Sequence, residues 1–399
     1  MQGSACAFDL ARSEGVDEIH LIDEDENGVQ AAAALATEGA REVGRRPAVR
    51  TSAFDVEDGG AVTRALQGSD VAVSAVPYFL NVGLARAAIH AGVSFCDMGG
   101  NTSVVQQQLA LDGEAKRAGI SLIPDCGLAP GLGNILVADA VASFDETHEA
   151  HIRVGGLPRH PKPPFNYMLV FSAHGLINEY VGEAVYLREG IRVAVPALGE
   201  VEDLRFPDPV GGCEAFATAG GSSTLPWTYE GKIRELTYKT VRYPGHAGLV
   251  RVLSELGLFS LDPVAIPAGG GTSARVRVRP RDVTASVLTR VLGSPGEPDV
   301  VVARTTVRGR RGGARVTRVY EMMDFMDEVH GITAMMRTTA YPVAVIAIMQ
   351  ARGEIVLKGA MPPETAVPPA PFLQALAERG ITIRQEETVE SAASLRAPR

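Results

Sequence analysis

A short helix rich in small residues, followed by an apolar strand that ends in aspartate, constrains this chain more than any other feature. Residues 1–14, MQGSACAFDLARSE, put Gly3, Ser4, Ala5 and Ala7 on a helix able to approach a neighbouring strand closely. After Gly15, the run Glu18-Ile-His-Leu-Ile-Asp23 reads as a strand with acid at its carboxyl end. A helix opening on glycine and a strand ending in Asp about 20 residues later make the second half of a dinucleotide-binding fingerprint. Gly3 takes the place of the third glycine. The first strand and the first two glycines let backbone approach a pyrophosphate at the helix N-terminus. They are expected to lie before Met1, so the first domain reads as N-terminally truncated.

The following segments repeat the pattern. Thr51-Ser-Ala-Phe-Asp55-Val56 reads as a strand, and Asp70–Pro77 is an apolar run of the kind buried in parallel sheets. A helix over Asn81–Ala91 separates it from the strand Val93–Asp97, and Ile120–Pro124 follows another helical stretch. Strands alternating with helices predict an α/β fold with a Rossmann-type doubly wound parallel sheet.

Beyond about residue 126 the composition shifts. His148–Gly155, Arg192–Val195, Glu214–Thr218, Arg234–Tyr243, Val300–Val307 and Ala314–Met322 read as strands, several with period-two alternation, predicting a second, mixed α/β domain. Gly331–Ala351 reads as an apolar helix kinked at Pro342. Residues 362–371 read as a linker, Phe372–Arg379 as a short helix and Ile381–Arg384 as a last strand, with fraying from 388 to 399. The expected organisation is a dinucleotide-binding domain over 1–126, a substrate and oligomerisation domain over 127–330, and C-terminal helices over 331–399 that pack back on the first domain.

A length of 399 residues suits about two domains with sizeable cores. The net charge of −9 argues against nucleic acid as a partner. Cys6, Cys96, Cys126 and Cys213 have no metal-ligand spacing, so no metal is expected and a reduced, cytoplasmic compartment is. The longest apolar stretch, Tyr341–Met349, is too short to span a bilayer.

In open α/β sheets the ligand sits outside the carboxyl ends of the strands. That rule selects Asp23, whose carboxylate would accept from the ribose hydroxyls and repel a 2′-phosphate, favouring NAD over NADP. It places Asp55 and Val56 near the adenine, and Ala75, Val76, Pro77 and Tyr78 beside the nicotinamide ribose. It also brings in Asp97 and Asp125, with Gly127 opening a glycine-rich loop before the next helix. Asp97, Asp125 and Tyr78 converge where a nicotinamide would lie, although each alone is equally a cap or turn former.

In the second domain, Leu236–His246 is the densest polar strand. Tyr238, Thr240 and Arg242 share one face, Lys239, Val241 and Tyr243 the other. Arg242 is a candidate carboxylate anchor, and Lys239 and His246 are candidate acid–base groups. An exposed charged strand face would explain the same pattern. Arg337, on an otherwise apolar helix, requires a partner, either an internal carboxylate or a ligand. His174, Glu179 and Tyr180 lie on one expected helix.

Several stretches together carry a family resemblance. They are VPYFLN (76–81), DMGG (97–100), PDCGLAPG (124–131), VGGLPRHPKPPFNY (154–167), VFSAHGLINEY (170–180), EAFATAGGSSTL (214–225), YKTVRYPGH (238–246) and MRTTAY (336–341). The chain resembles the saccharopine dehydrogenase family and, within it, the lysine 6-dehydrogenases most. The resemblance implies NAD, a homo-oligomer, a small amino-acid substrate, and hydride transfer from the ε-carbon of lysine with release of ammonia. Under that reading Asp125 or Asp97 stands at the reacting carbon with Tyr78 lining it, and Lys239 or His246 is the alternative base. Arg242 anchors the α-carboxylate with Arg337 in reserve, Glu179 holds the α-ammonium, and Tyr238 and Thr240 line the substrate. Relatives that couple an amine to an aldehyde or keto acid supply a second reading. A non-catalytic relative lacking the pyrophosphate loop is a third.

Overall fold

The computed structural model describes residues 1–267, 275–293 and 296–390. The first domain is built on parallel strands in two groups. Strands β1 (Glu18–Asp23) and β2 (Ala48–Ala53) pair in parallel, with Glu18 opposite Ala48 and Asp23 opposite Ala53. Strands β3 (Val71–Ser74), β4 (Ser94–Asp97) and β5 (Ser121–Ile123) form the second group, in which β4 lies between the other two. Helices Gln2–Arg12, Glu26–Glu42, Gly59–Leu66 and Asn81–Ala91 alternate with these strands. Asp25, Asp58 and Asn101 cap the helices that follow them by accepting from backbone amides of the first turn. A methyl group at Gly3 would stand 3.3 Å from Ala75 Cβ, so the start of the first helix docks at the carboxyl end of β3.

The second domain is a mixed sheet. Its strands are β6 (Glu146–Pro158), β7 (Glu183–Arg188), β8 (Ile191–Pro196), β9 (Glu202–Arg205), β10 (Gly212–Phe216) and β11 (Glu235–Arg242). A separate hairpin, β12 (Val264–Pro267) with β13 (Arg275–Val278), is followed by the long strands β14 (Asp299–Arg311) and β15 (Ala314–Phe325). Of the C-terminal strands, β16 (Gly359–Ala360) extends the parallel sheet beside β5, and β17 (Ile383–Glu390) closes the mixed sheet beside β15. The mixed sheet runs β17-β15-β14-β6-β11-β10-β9, with β7 joining β11 to β8. Only β6 and β11 are parallel neighbours in that order.

Helix Ala334–Ala351 joins the domains. Thr333 caps it through Met336 N, Pro342 lies inside it, and every residue from Ala340 to Gln350 is buried. It packs between the first helix and strands β3 and β4. Burying Val343, Val345, Ile346 and Ile348 is worth about 1.5–3 kcal/mol each. Gln350 Nε2 donates to Phe95 O at 3.3 Å and Ser121 O at 3.0 Å, satisfying carbonyls at the back of the parallel sheet.

Two expectations about element ends are corrected. Strand β2 stops at Ala53, because Asp55 turns the chain by accepting from Glu57 N at 2.8 Å. The last strand runs to Glu390 and is not frayed at 388–390, because Glu387 pairs with Arg318 at 2.7 Å and also with Arg311. Residues 391–399 lie outside the described residues. No helix among the described residues is long and apolar enough to cross a membrane. No cluster of His, Cys, Asp and Glu among them has the geometry to hold a metal ion.

Candidate active site

The site begins at the carboxyl end of β4. Asp97 is fully buried and accepts three hydrogen bonds, from Gln108 Nε2 at 2.6 Å, Gly99 N at 2.7 Å and Asp125 N at 3.1 Å. Burial raises its carboxyl, and the three donors oppose that. With both oxygens engaged inside the protein, Asp97 shapes the turn and does not face a substrate. The acid–base role expected for it is therefore corrected to one of positioning.

The turn it shapes carries Gly99 and Gly100, at φ +77 and +133, conformations that side chains rarely adopt. A side chain at Gly99 would collide with the Asp125 carboxylate, and one at Gly100 would come 3.0 Å from Tyr78 Cβ. Asp125 and Tyr78 thus flank the same two-glycine turn. Tyr78 opens a short 3₁₀ turn just after Pro77, at the carboxyl end of β3.

Asp125 is buried, with φ +61, and its Oδ2 accepts from Ser223 Oγ of the second domain. Its Oδ1 is buried without a hydrogen-bond partner. Burial, then the neighbouring Asp97 and Glu364 carboxylates, push its carboxyl well above the usual range. Ser223 pulls the other way, as does the Gly100 amide, which lies outside hydrogen-bonding geometry. Ser223 sits in a turn held from the C-terminal segment. Thr224 and Thr228 hydroxyls each donate to Glu364 Oε1 at 2.7 Å, and Asn134 Nδ2 donates to Oε2 at 3.1 Å.

On the other flank, the Tyr78 hydroxyl accepts from Asn178 Nδ2 at 3.4 Å. Asn178 lies on the helix Ala173–Tyr180, and its Oδ1 accepts from Arg281. The two domains are therefore bridged by Ser223 to Asp125 and by Asn178 to Tyr78. Ser223, Asn178, Arg281 and Glu364 were not legible in the sequence. Each lies about 100 residues or more from its partner, and only the GGSST and INEY motifs hinted at two of them.

The polar strand β11 splits as its alternation predicts, but with different roles. Lys239 is buried and pairs with Glu202 at 2.8 Å, beside Arg153 on the same carboxylate. It is not placed as a base. On the opposite face, Arg242 is buried, donates to Glu179 at 3.2 Å, Tyr180 Oη at 3.3 Å and Val241 O at 2.9 Å, and covers the Tyr167 ring. Its donors serve the protein, so the anchor role is corrected to an internal pair. Burial raises the Glu179 carboxyl, and Arg242 opposes that. His246 contacts Phe165 O through Nδ1 at 3.1 Å and Tyr180 Oη through Nε2 at 2.8 Å. Burial and then Arg242 lower its pKa to about 3, so with both ring nitrogens engaged inside the protein it is poorly placed and weak as a base. Tyr238 and Thr240 are buried beside this network. Thr240 bonds Thr218 at 2.7 Å, and Gly221 packs on the Tyr238 ring. Arg337 pairs with Asp324 at 2.9 Å and bonds Arg379 O, an internal partner and not a ligand.

A pyridine nucleotide fits the first-domain rim in part. Asp23 is exposed at the end of β1, with Oδ1 accepting from Asp25 N at 3.0 Å. Asp55 is exposed after β2, and half-buried Val56 packs on the core formed around Val62 and Leu84. Ala75 and Pro77 are exposed at the end of β3, with Val76 half-buried between them. Gly3 sits against Ala75 at the N-terminus of the first helix. The partnerless Asp125 oxygen and the Gly99–Gly100 turn give the nicotinamide end a bare backbone and a polar group. Gly127 does not belong to this rim. It is buried against Thr339, Met98 O and Pro130 O, and Leu132 N closes on its carbonyl at 2.8 Å.

Comparison with known proteins agrees with this architecture. Residues 1–123 match the saccharopine dehydrogenase NADP binding domain, and residues 127–381 match the saccharopine dehydrogenase C-terminal domain. The bovine mitochondrial alpha-aminoadipic semialdehyde synthase is 24% identical over 384 residues, covering 80% of this chain and 41% of the bovine protein. The saccharopine dehydrogenase [NADP(+), L-glutamate-forming] of Pyricularia oryzae is 26% identical over 222 residues, covering 52% and 47%. The chain thus spans less than half the length of these curated relatives. The apo saccharopine dehydrogenase (L-Glu forming) from Saccharomyces cerevisiae shares the fold, with a TM-score of 0.74 at 18% identity over 97% of this chain and 98% of the yeast chain. The first domain is therefore a pyridine-nucleotide-binding domain, and the chain belongs to the saccharopine dehydrogenase family.

Proposed function

We propose that this protein is a pyridine-nucleotide-dependent oxidoreductase acting at a carbon–nitrogen bond of a lysine-derived amino acid. The observation that carries the reading is Asp125, a buried carboxyl with one unpartnered oxygen and a raised pKa, at the carboxyl end of the parallel sheet beside Tyr78. A bound nicotinamide supplies the hydride acceptor, or the donor in reverse. The chain supplies the rest. Asp125 takes the proton from the amine nitrogen, because only a neutral nitrogen has the lone pair that forms the imine. Its raised pKa brings it nearer the working range of a general acid–base group. Tyr78 presents a hydroxyl on the other side of the Gly99–Gly100 turn, where it hydrogen-bonds the nitrogen or the water that hydrolyses the imine. The Ser223 contact and the burial of Asp125 keep bulk water off that carboxyl.

Asp23 and its neighbours support NAD as the cofactor. Asp23, Glu24, Asp25, Asp55, Glu57 and Asp58 follow the ends of β1 and β2, and no Lys or Arg occurs in residues 23–40 or 53–63. A 2′-phosphate beside Asp23 would meet carboxylates, while the Arg64 guanidinium lies farther along the rim, beside Asp58. The family description and the named fungal relative carry NADP, so this rim is where the chain would depart from them.

Within this class, the motif resemblance supports L-lysine oxidised at its ε-carbon with release of ammonia, and the named relatives support saccharopine. Initial rates with each amine, each with NAD and NADP, test the proposal. The expected result is NAD-dependent oxidation of one of them. Turnover of neither, with nucleotide bound, would overturn it.

A further inference from the structure

The orientation of one amide sets where the Tyr78 proton points. Asn178 bridges Arg281 of the second domain and Tyr78 of the first. A guanidinium has donors only, so the amide oxygen must face Arg281 and the –NH2 must face Tyr78. The Tyr78 oxygen then accepts along that direction, and its own hydrogen is directed elsewhere. Arg281 is held in turn. It is buried at the start of helix Pro280–Leu292, and the same nitrogen that reaches Asn178 also donates to His174 O at 3.4 Å. The helix Ala173–Tyr180 that carries Asn178 starts from a Ser172 cap and packs against the Arg281 helix. The amide therefore has a fixed polarity from the second domain.

We propose that Arg281 and Asn178 are positioning residues that hold the Tyr78 hydroxyl as a hydrogen-bond donor toward the nitrogen or oxygen of the bound substrate. This rests on the proposed reaction for the role of Tyr78, but not for the contact itself. The contact also spans the two domains, so it couples their approach to the orientation of the hydroxyl. The 3.4 Å separation leaves room for it to tighten when a ligand fills the cleft.

The decisive comparison is Asn178→Asp against Asn178→Ala, each in wild type and in Tyr78→Phe. Aspartate is isosteric and keeps its partner Arg281, so a merely structural role predicts that Ala is the more damaging. The proposal predicts the reverse. A carboxylate accepts only, captures the Tyr78 proton and misdirects it, lowering kcat about 10²-fold with little change in KM. In Tyr78→Phe the same substitution should cost nothing further. A second readout needs no turnover. The side-chain amide signal of 15N-labelled Asn178, assigned by its loss in Asn178→Asp, should shift in Tyr78→Phe. An unshifted signal, Ala more damaging than Asp, or an equal cost in both backgrounds would overturn the proposal. A wild type that turns over neither amine while the amide signal shifts would instead count against the proposed reaction and leave the contact established.

Discussion

Asp125 and Ser223 both hold left-handed backbone conformations, at φ +61 and +45, and they hydrogen-bond to each other across the two domains. A non-glycine residue in such a conformation costs on the order of 1–3 kcal/mol and persists only where its surroundings over-determine it. Here the surroundings are identifiable. Asp97 holds the Asp125 amide, and Glu364 holds Thr224 next to Ser223. Strain at both ends of one contact, facing a nucleotide-binding rim, is the pattern of a site that trades stability for geometry.

That trade predicts a stabilising substitution. The folded state raises the Asp125 carboxyl pKa, so the native protein binds a proton that the unfolded chain releases. Its contribution to stability is intact at low pH and is lost as pH rises from the ordinary carboxylate range through the raised value. An asparagine side chain cannot ionise and tolerates the left-handed region. Asp125→Asn should therefore raise Tm relative to wild type, with a gap that widens from pH 5 to pH 8. Thermal melts across that range check it. A gap that narrows with pH would show that the carboxyl is not raised.

Ser223→Ala should act through the same carboxyl. Its hydroxyl lowers the Asp125 pKa, so losing it moves the acidic limb of the kcat/KM profile to higher pH. A hydrogen bond to a charged group is worth about 1.5–3 kcal/mol, which corresponds to roughly one to two pH units. An unmoved limb would mean that the limb belongs to another group.

Arg242→Met should unfold the second domain more readily and should not act as a pure binding defect. It leaves Glu179 and Tyr180 without their shared partner, and because the Glu179 side chain is only half-buried the cost should fall below the about 3–5 kcal/mol of breaking a fully buried pair. Denaturant melts measure this directly. Unchanged stability with a raised substrate KM would restore the anchor role that the sequence suggested.

Nucleotide affinity should follow the acidic rim. Calorimetric titration should give a Kd for NADP at least about tenfold above that for NAD, a difference of roughly 1.4 kcal/mol. Asp23→Ser should narrow the gap. Tighter binding of NADP by the wild type would contradict the charge argument.

The fold was largely legible because its signals are local. The strand Glu18–Asp23 and the helix Asn81–Ala91 match the structure residue for residue, since periodicity and Gly92 mark their limits. The placement of site residues was legible where strand topology determines it, as for Asp125 and Tyr78 at the carboxyl ends of parallel strands. Lys239, Arg242 and Arg337 carry the residue types of catalysis, but Glu202, Glu179 and Asp324 absorb them. Alternation along one strand sorts the faces of β11 correctly and says nothing of what lies opposite each face. Asn178 and Ser223 escaped notice because an amide and a hydroxyl become informative only once the second domain lies against the first.

The most direct test of the account is the initial rate of nicotinamide reduction by wild type and Asp125→Asn, with L-lysine and with saccharopine, at saturating nucleotide. Wild type is expected to oxidise one of the two amines, and Asp125→Asn to bind the nucleotide equally well but to lose about 10²–10⁴-fold in rate. An Asp125→Asn rate close to that of wild type would contradict the account.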